Sequence, residues 1–246
     1  MRIKTTGALA LALLCCSGSA LASIAFDAYQ THSGFLTASN IVGSTQTTNF
    51  DAVALNTLYA SGTGPGGFTL NASASGSTPQ VRNSLSDGTL LWTTSGTHSL
   101  GLNNNDGQFL GGDVLNIHFL APVFGFGLYV ITGGDTLAGD LALSSAYGTV
   151  TNSGVADLSD GNGSYAYYLG MVASASFSDV ALAFSDGIFL FTASVDDISL
   201  VNGEPGGGGG GGSGNNTVPE PSSLALLGLA GVLMAAQHRR NLERKA

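Results

Sequence analysis

The sequence is poor in charge, and what charge it has is unevenly spread. Only 9% of the 246 residues are charged, against about a quarter in an average soluble domain. Residues 23–203 contain thirteen Asp, no Glu and no Lys, so that Arg82 is their one basic residue and their net charge is −12. One cation cannot neutralise a row of phosphates, which excludes nucleic acid as a partner. The 43% of hydrophobic residues is enough for a folded core and argues against disorder.

Cysteine is almost as scarce, and both copies, Cys15 and Cys16, lie near the N-terminus. There, Arg2 and Lys4 precede an apolar run over residues 8–16 and the small-residue sequence Ala-Leu-Ala at 20–22. This order is typical of a signal peptide, so we predict one at residues 1–22, with cleavage after residue 22. The remaining chain would then have no disulfide, no thiol nucleophile and no Cys-ligated metal.

The C-terminal region contains a tether followed by an apolar segment. Residues 204–217 include seven consecutive glycines and predict a flexible linker, because glycine has the greatest backbone freedom. After Val-Pro-Glu-Pro at 218–221, residues 222–237 carry no charge and residues 238–246 are basic. A helix over 222–237 would be about 24 Å long, slightly short of a ~30 Å hydrocarbon core. We predict a single transmembrane helix there, with the basic tail in the cytoplasm and residues 23–203, the body, outside.

This C-terminal arrangement resembles the PEP-CTERM sorting signal of Gram-negative bacteria. The resemblance covers about a tenth of the chain and implies that Pro219, Glu220 and Pro221 are recognised by an exosortase, a membrane-embedded protease, with Arg239 and Arg240 as the basic stop signal. It also implies a precursor held transiently in the inner membrane. After processing, the protein would reach the cell surface or an extracellular matrix, and the family is associated with exopolysaccharide and biofilm.

The body itself has the pattern of an all-β domain. Short alternating or apolar runs are separated by Asp-Gly and Asn-rich turns, and no stretch shows helical periodicity over ten residues. In the run 114–120, Leu115, Ile117 and Phe119 share one face. We predict an antiparallel, jelly-roll-like β-sandwich at 23–203. The predicted strands are 24–29, 50–59, 67–72, 90–94, 97–102, 114–121, 124–131, 147–151, 165–172, 176–184 and 188–201.

No catalytic residues are predicted. The sequence Thr97-His98-Ser99-Leu100-Gly101 falls one glycine short of a nucleophile elbow and is followed by a turn instead of a helix. The three histidines of the body, His32, His98 and His118, do not stand at metal-binding spacings. The sequence therefore favours a protein that is not an enzyme.

Two kinds of binding site remain open. The excess of carboxylates suggests a structural Ca²⁺ site, and Asp27 would meet Asp196 and Asp197 if the first and last strands lay side by side, as in many jelly rolls. A solvated acidic surface is the alternative. A sugar-stacking face could be formed by Trp92, Tyr129, Tyr165, Tyr167 and Tyr168, although aromatic residues in strands more often pack in the core.

The sequence predicts an exported surface or matrix protein whose β-sandwich is structural or binds carbohydrate, with exopolysaccharide as a partner. The first alternative is a secreted hydrolase of matrix polysaccharide, which paired Asp residues across a cleft would favour. The second is a self-associating adhesin, which long exposed edge strands would favour.

Overall fold

A computed structural model describes residues 24–73, 77–83, 92–185 and 192–203. The chain consists of two units, Met1–Gly208 and Gly209–Ala246, and every described residue belongs to the first. The described residues form one helix and twelve strands. These are β1 (Phe26–Tyr29), α1 (His32–Val42), β2 (Ser44–Thr48), β3 (Phe68–Ser73), β4 (Pro79–Asn83), β5 (His98–Leu102), β6 (Phe109–Leu110), β7 (Val114–Thr132), β8 (Leu141–Ser145), β9 (Thr149–Thr151), β10 (Leu158–Ser159), β11 (Tyr165–Phe184) and β12 (Thr192–Asn202).

The predicted all-β, antiparallel character is confirmed. The strands follow the order β4-β5-β12-β7-β11-β8-β9, with the other five added beside β7, β11 or β12. Every strand pairing is antiparallel. The runs 114–121 and 124–131, predicted as two strands, form the single 19-residue strand β7. The predicted strands 165–172 and 176–184 likewise merge into β11.

Strands β7 and β11 are long because each takes part in two half-sheets. In the first half-sheet, residues 125–132 of β7 pair with β12 and with residues 165–172 of β11. In the second, residues 114–119 of β7 and 179–184 of β11 lie between β3 and β8. The register shifts between the two, at Val172, Phe177 and Asp179. Pro122, which has no N–H to give to a ladder, lies in this irregular part of β7.

One hydrophobic core is shared by the two half-sheets. Phe126, Leu128 and Val130 of the first belong to the same buried cluster as Leu115 and Ile117 of the second. The alternation predicted for the first part of β7 is therefore confirmed, because Leu115, Ile117 and Phe119 are buried between more exposed neighbours.

The opposite face of the first half-sheet is covered by helix α1, which was not predicted. Phe35 of α1 packs against Tyr168, with ring centroids 5.5 Å apart, and belongs to a second buried cluster. Gly170 makes room for it, because an added Cβ would lie 2.8 Å from Phe35 Cδ2. The Thr31 side chain accepts the Gly34 N–H at the N-cap, as helix starts require.

Other local expectations are corrected. The predicted strand 50–59 consists mostly of turns, with one isolated bridge between Leu58 and Gln80. Residues 92–94 are not in a strand, and the rest of the predicted strand 90–94 lies outside the described residues. Strands β2, β4, β6, β8 and β10 were not predicted.

The predicted signal peptide, linker and transmembrane segment all lie outside the described residues. Within the ranges that are described, no helix has the length and hydrophobicity needed to span a bilayer.

Candidate functional site

A polar trough runs over the outer face of the second half-sheet. Its volume is about 470 Å³, within the range of small-ligand sites. Because the inward residues of these strands fill the core, the outward ones line the trough. We define the polar trough by the side chains surrounding Ala181, which are Thr69, Asn71, Asn116, His118, Ser144 and Asp179.

Strand register arranges these side chains in two rows across the sheet. In the first row Asn71 of β3, Asn116 of β7, Ala181 of β11 and Ser144 of β8 are successive partners. In the second row Thr69 pairs with His118, and His118 pairs with Asp179.

The two ionisable side chains of the trough contact each other. His118 Nδ1 lies 2.7 Å from Asp179 Oδ1, and the two side chains are 57% and 75% exposed. At that exposure water screens the pair, so its contribution to stability is small. The amides and hydroxyls of the first row also retain donor and acceptor capacity beyond their bonds to neighbours, such as the 3.3 Å bond from Asn116 Nδ2 to Ser73 Oγ.

The predicted sugar-stacking face does not form. Tyr129, Tyr167 and Tyr168 are buried, Tyr167 to 1% exposure, which corrects the prediction for these three. Their hydroxyls serve the fold: Tyr129 donates to Asp157 Oδ2 at 2.8 Å, and Tyr167 accepts the Thr136 N–H at 3.0 Å.

The remaining two members of that predicted face are half-buried. Tyr165 packs against the main core, whereas Trp92 packs against the second cluster, on the other side of the first half-sheet. They therefore lie on different sides of the sheet and share no surface.

The expected meeting of Asp27 with Asp196 and Asp197 is also corrected. Strand β1, which carries Asp27, pairs with β11, whereas β12 pairs with β7. Two strands therefore separate them, a lateral distance of about 14 Å at ~4.8 Å per strand. The described residues contain no group of three or more His, Cys, Asp or Glu that could hold a metal ion. Calcium binding itself stays a prediction.

Asp196 and Asp197 do lie together, and they hold a loop. Asp196 Oδ2 accepts the backbone N–H groups of Thr94 and Ser95, both at 3.1 Å. Asp197 Oδ1 accepts the Ser95 hydroxyl at 2.8 Å, and the Thr94 hydroxyl lies within 3.0 Å of an oxygen of each carboxylate. A register shift in β12 between Asp196 and Ser199, with φ +46° at Asp197, turns both side chains toward this loop.

A third carboxylate, that of Asp51, holds the same loop. Asp51 Oδ1 accepts the N–H groups of Thr97 and His98 at 2.6 and 3.0 Å. Gly96 has φ +49°, and an added Cβ there would strike the Asp51 carboxylate. Residues 94–98 are thus held by three acidic side chains, Asp196, Asp197 and Asp51.

Burial perturbs the acid–base chemistry around this loop. Asp196 is fully buried, and burial followed by repulsion from Asp197 raises its pKa to about 7, against the lowering effect of its hydrogen bonds. Burial and the hydrogen bond to Asp157 raise the pKa of Tyr129 well above its usual range. Because hydrogen-bond donors of the protein surround the buried Asp196 carboxylate, this side chain holds the loop in place and is not accessible to a ligand.

The trough was not predicted, although the sequence indicates that some of its side chains point outward. The outward positions of Asn116 and His118 follow from the alternation in β7. What brings Asn71, Ser144 and Asp179 beside them is the lateral order of β3, β8 and β11, which alternation does not reveal.

The predicted sorting residues Pro219, Glu220, Pro221, Arg239 and Arg240 lie outside the described residues. Sequence comparison does cover them. Residues 217–240 match the family described as the PEP-CTERM protein-sorting motif.

Two further comparisons concern the rest of the chain. No curated protein matches the sequence. Among solved structures, the fold is similar to the K2 cleaved adhesin domain of Lys-gingipain, with a TM-score of 0.40 and 12% sequence identity, over 65% of this chain and 99% of that one.

Proposed function

We propose, because this chain carries the PEP-CTERM protein-sorting motif at residues 217–240, that it is an exported protein which an exosortase processes on its way to the cell surface or extracellular matrix. The motif implies export, a membrane-anchored precursor and processing by that membrane protein. In this proposal residues 1–22 direct export, residues 222–237 span the inner membrane, and Pro219, Glu220 and Pro221 are recognised.

The charge distribution supports this route. Six of the seven basic residues lie at the two ends, next to the apolar segments at 8–16 and 222–237, where they would orient the chain in a membrane. The body between them has a net charge of −12. What reaches the exterior is therefore acidic, and the glycine run separates it from the membrane segment.

For the body, we propose a structural or carbohydrate-binding β-sandwich associated with exopolysaccharide. The shared core of the two half-sheets supports a β-sandwich. The polar trough supports carbohydrate binding, because uncharged amides and hydroxyls match the hydroxyls of sugars. A polysaccharide hydrolase would need two carboxyl groups across a cleft; among the described residues that line the trough, Asp179 is the one carboxylate. We therefore propose binding without cleavage.

The sorting proposal is tested by replacing Pro219 and Pro221 together with Ala in the full chain. The expected result is a precursor that stays in the membrane fraction, while the wild-type body is released in a form lacking the C-terminal segment, as mass spectrometry would show. Pro205→Ala is the matched control, because Pro205 follows a Glu as Pro221 does but lies outside the sorting motif. Normal release of the double variant would refute the assignment.

A further inference from the structure

We propose that the polar trough binds an extended, uncharged polysaccharide whose chain lies across the strands. The inference rests on the carbohydrate-binding function proposed above and adds the site, the direction of the chain and the class of glycan.

The direction of the bound polysaccharide is inferred from the spacing of the side chains in the first row. Asn71, Asn116, Ala181 and Ser144 occupy four neighbouring strands in register, and Thr149 of β9 continues the row beyond Ser144. Neighbouring strands lie ~4.8 Å apart, which is close to the length of one sugar unit in an extended chain. A glycan lying along this row would therefore meet one side chain at each unit, whereas a glycan lying along a strand would meet outward residues only at every second position.

The side chains of the row suit sugar hydroxyls. A hydroxyl both donates and accepts hydrogen bonds, and so do Asn, Ser and Thr. Asn71 and Thr149 are exposed and Asn116 and Ser144 are half-buried, so all four can exchange water for a ligand. Ser144 and Thr149 are already oriented by a mutual hydrogen bond of 2.9 Å.

The floor of the row lets the ligand approach the backbone. Ala181 lies between Asn116 and Ser144, where its short side chain leaves the space that a sugar ring would occupy. On the same face, the His118–Asp179 pair in the second row forms one side of the trough.

The negative charge of the body favours a neutral glycan as the ligand. No Lys or Arg is among the residues that line the trough, and Arg82 is the one basic residue in a body of net charge −12. Carboxylated and sulfated polysaccharides are anionic, so a body of net charge −12 would repel them. Neutral polysaccharides meet no such repulsion.

The test measures binding of the purified full chain, in mild detergent, to three neutral polysaccharides (galactomannan, xyloglucan and dextran) and to alginate as an acidic one. Ala181→Leu fills the floor of the trough without removing any hydrogen-bonding side chain. Ala183→Leu is the matched control, because Ala183 lies on the same face of β11, is equally half-buried and is not among the lining residues. Asn71→Ala, at an exposed position of β3, provides a second variant if Ala181→Leu does not fold.

We expect wild-type protein and Ala183→Leu to bind at least one neutral polysaccharide equally, and Ala181→Leu and Asn71→Ala to bind it at least fivefold more weakly. Alginate should not bind. Neutral-glycan binding unchanged by both trough variants would overturn the site and leave carbohydrate binding in place. Binding to alginate alone would overturn the neutral class. If none of the polysaccharides binds, the inference and the carbohydrate-binding function both fail, and the sorting experiment still tests export separately.

Discussion

Asp196 should make the stability of the protein fall as pH rises from about 4 to 7. Its pKa is about 7 in the fold, against 3.8 for the free side chain. As pH rises, the unfolded chain loses this proton first, so over that interval the native state binds more protons than the unfolded state. The stabilisation is therefore complete below pH 4 and is lost by about pH 7. With about 1.4 kcal/mol for each pKa unit, the loss is about 4 kcal/mol, a large share of the roughly 5–15 kcal/mol that stabilises a typical domain.

The perturbation that tests this is Asp196→Asn, which removes the titrating proton and keeps one oxygen to accept hydrogen bonds. Its amide NH₂ would face the Asp197 N–H, which now donates to Asp196 Oδ1 at 2.9 Å, so the variant should be less stable at low pH. The diagnostic quantity is the slope of the unfolding free energy against pH, measured by urea denaturation at intervals between pH 4.5 and 7.5. We expect a falling slope in the wild type that is flattened in the variant.

Asp51→Asn is the matched control, because Asp51 clamps the same loop through two backbone N–H groups. Asp51→Asn should lower the unfolding free energy, and this free energy should still fall with increasing pH as in the wild type. If Asp196→Asn retains the wild-type slope, the assignment of the pH dependence to this buried carboxyl is wrong.

Two further predictions concern packing and metal binding. Gly127→Ala should destabilise the protein by about 1–3 kcal/mol, because a Cβ there would strike the Tyr168 hydroxyl, while Gly134→Ala, with open space around it, should change stability by less than about 0.5 kcal/mol in the same denaturation assay. If the protein binds a structural Ca²⁺ as the sequence predicts, the melting temperature should be higher in millimolar CaCl₂ than in EDTA, and equal melting temperatures in the two buffers would refute calcium binding.

The sequence predicts the strands where alternation and turn residues agree. In β7, Leu115, Ile117 and Phe119 point inward as expected, because a strand with one buried face must alternate. Asp160 and Gly161 mark a real turn, with φ +76° at the glycine, because few other residues adopt that conformation without strain.

Helix α1 could not be predicted because its residues are weak helix formers. It contains two Ser, a Gly, a Thr and an Asn in 11 residues, and only Phe35 and Ser39 are buried. Its stability comes from the rest of the fold: Phe35 enters the second cluster, and the Asp157 carboxylate, distant in sequence, accepts the His32 N–H at 3.1 Å. Tertiary contacts of this kind leave no local pattern.

The candidate site was hidden for a related reason. The predicted sugar site consisted of aromatic residues, but Tyr129, Tyr167 and Tyr168 pack in the two buried clusters. The polar side chains of the trough belong to four strands that are far apart in sequence. The predicted metal site failed for a similar reason, because β1 pairs with β11, whereas the jelly-roll expectation placed it beside β12.

The position of β12 also determines how the body would bear a load. The predicted linker begins two residues after the end of β12, so tension on such a linker would act on Asn202 and then along this strand. Residues 198–202 of β12 pair with β2 on one side, and residues 199–201 pair with β7 on the other. A pull along the strand therefore stresses both ladders in shear, with many hydrogen bonds resisting at once, instead of opening them one at a time. In the proposed membrane-anchored precursor, the body would be attached through an interior strand, which is a mechanically strong point.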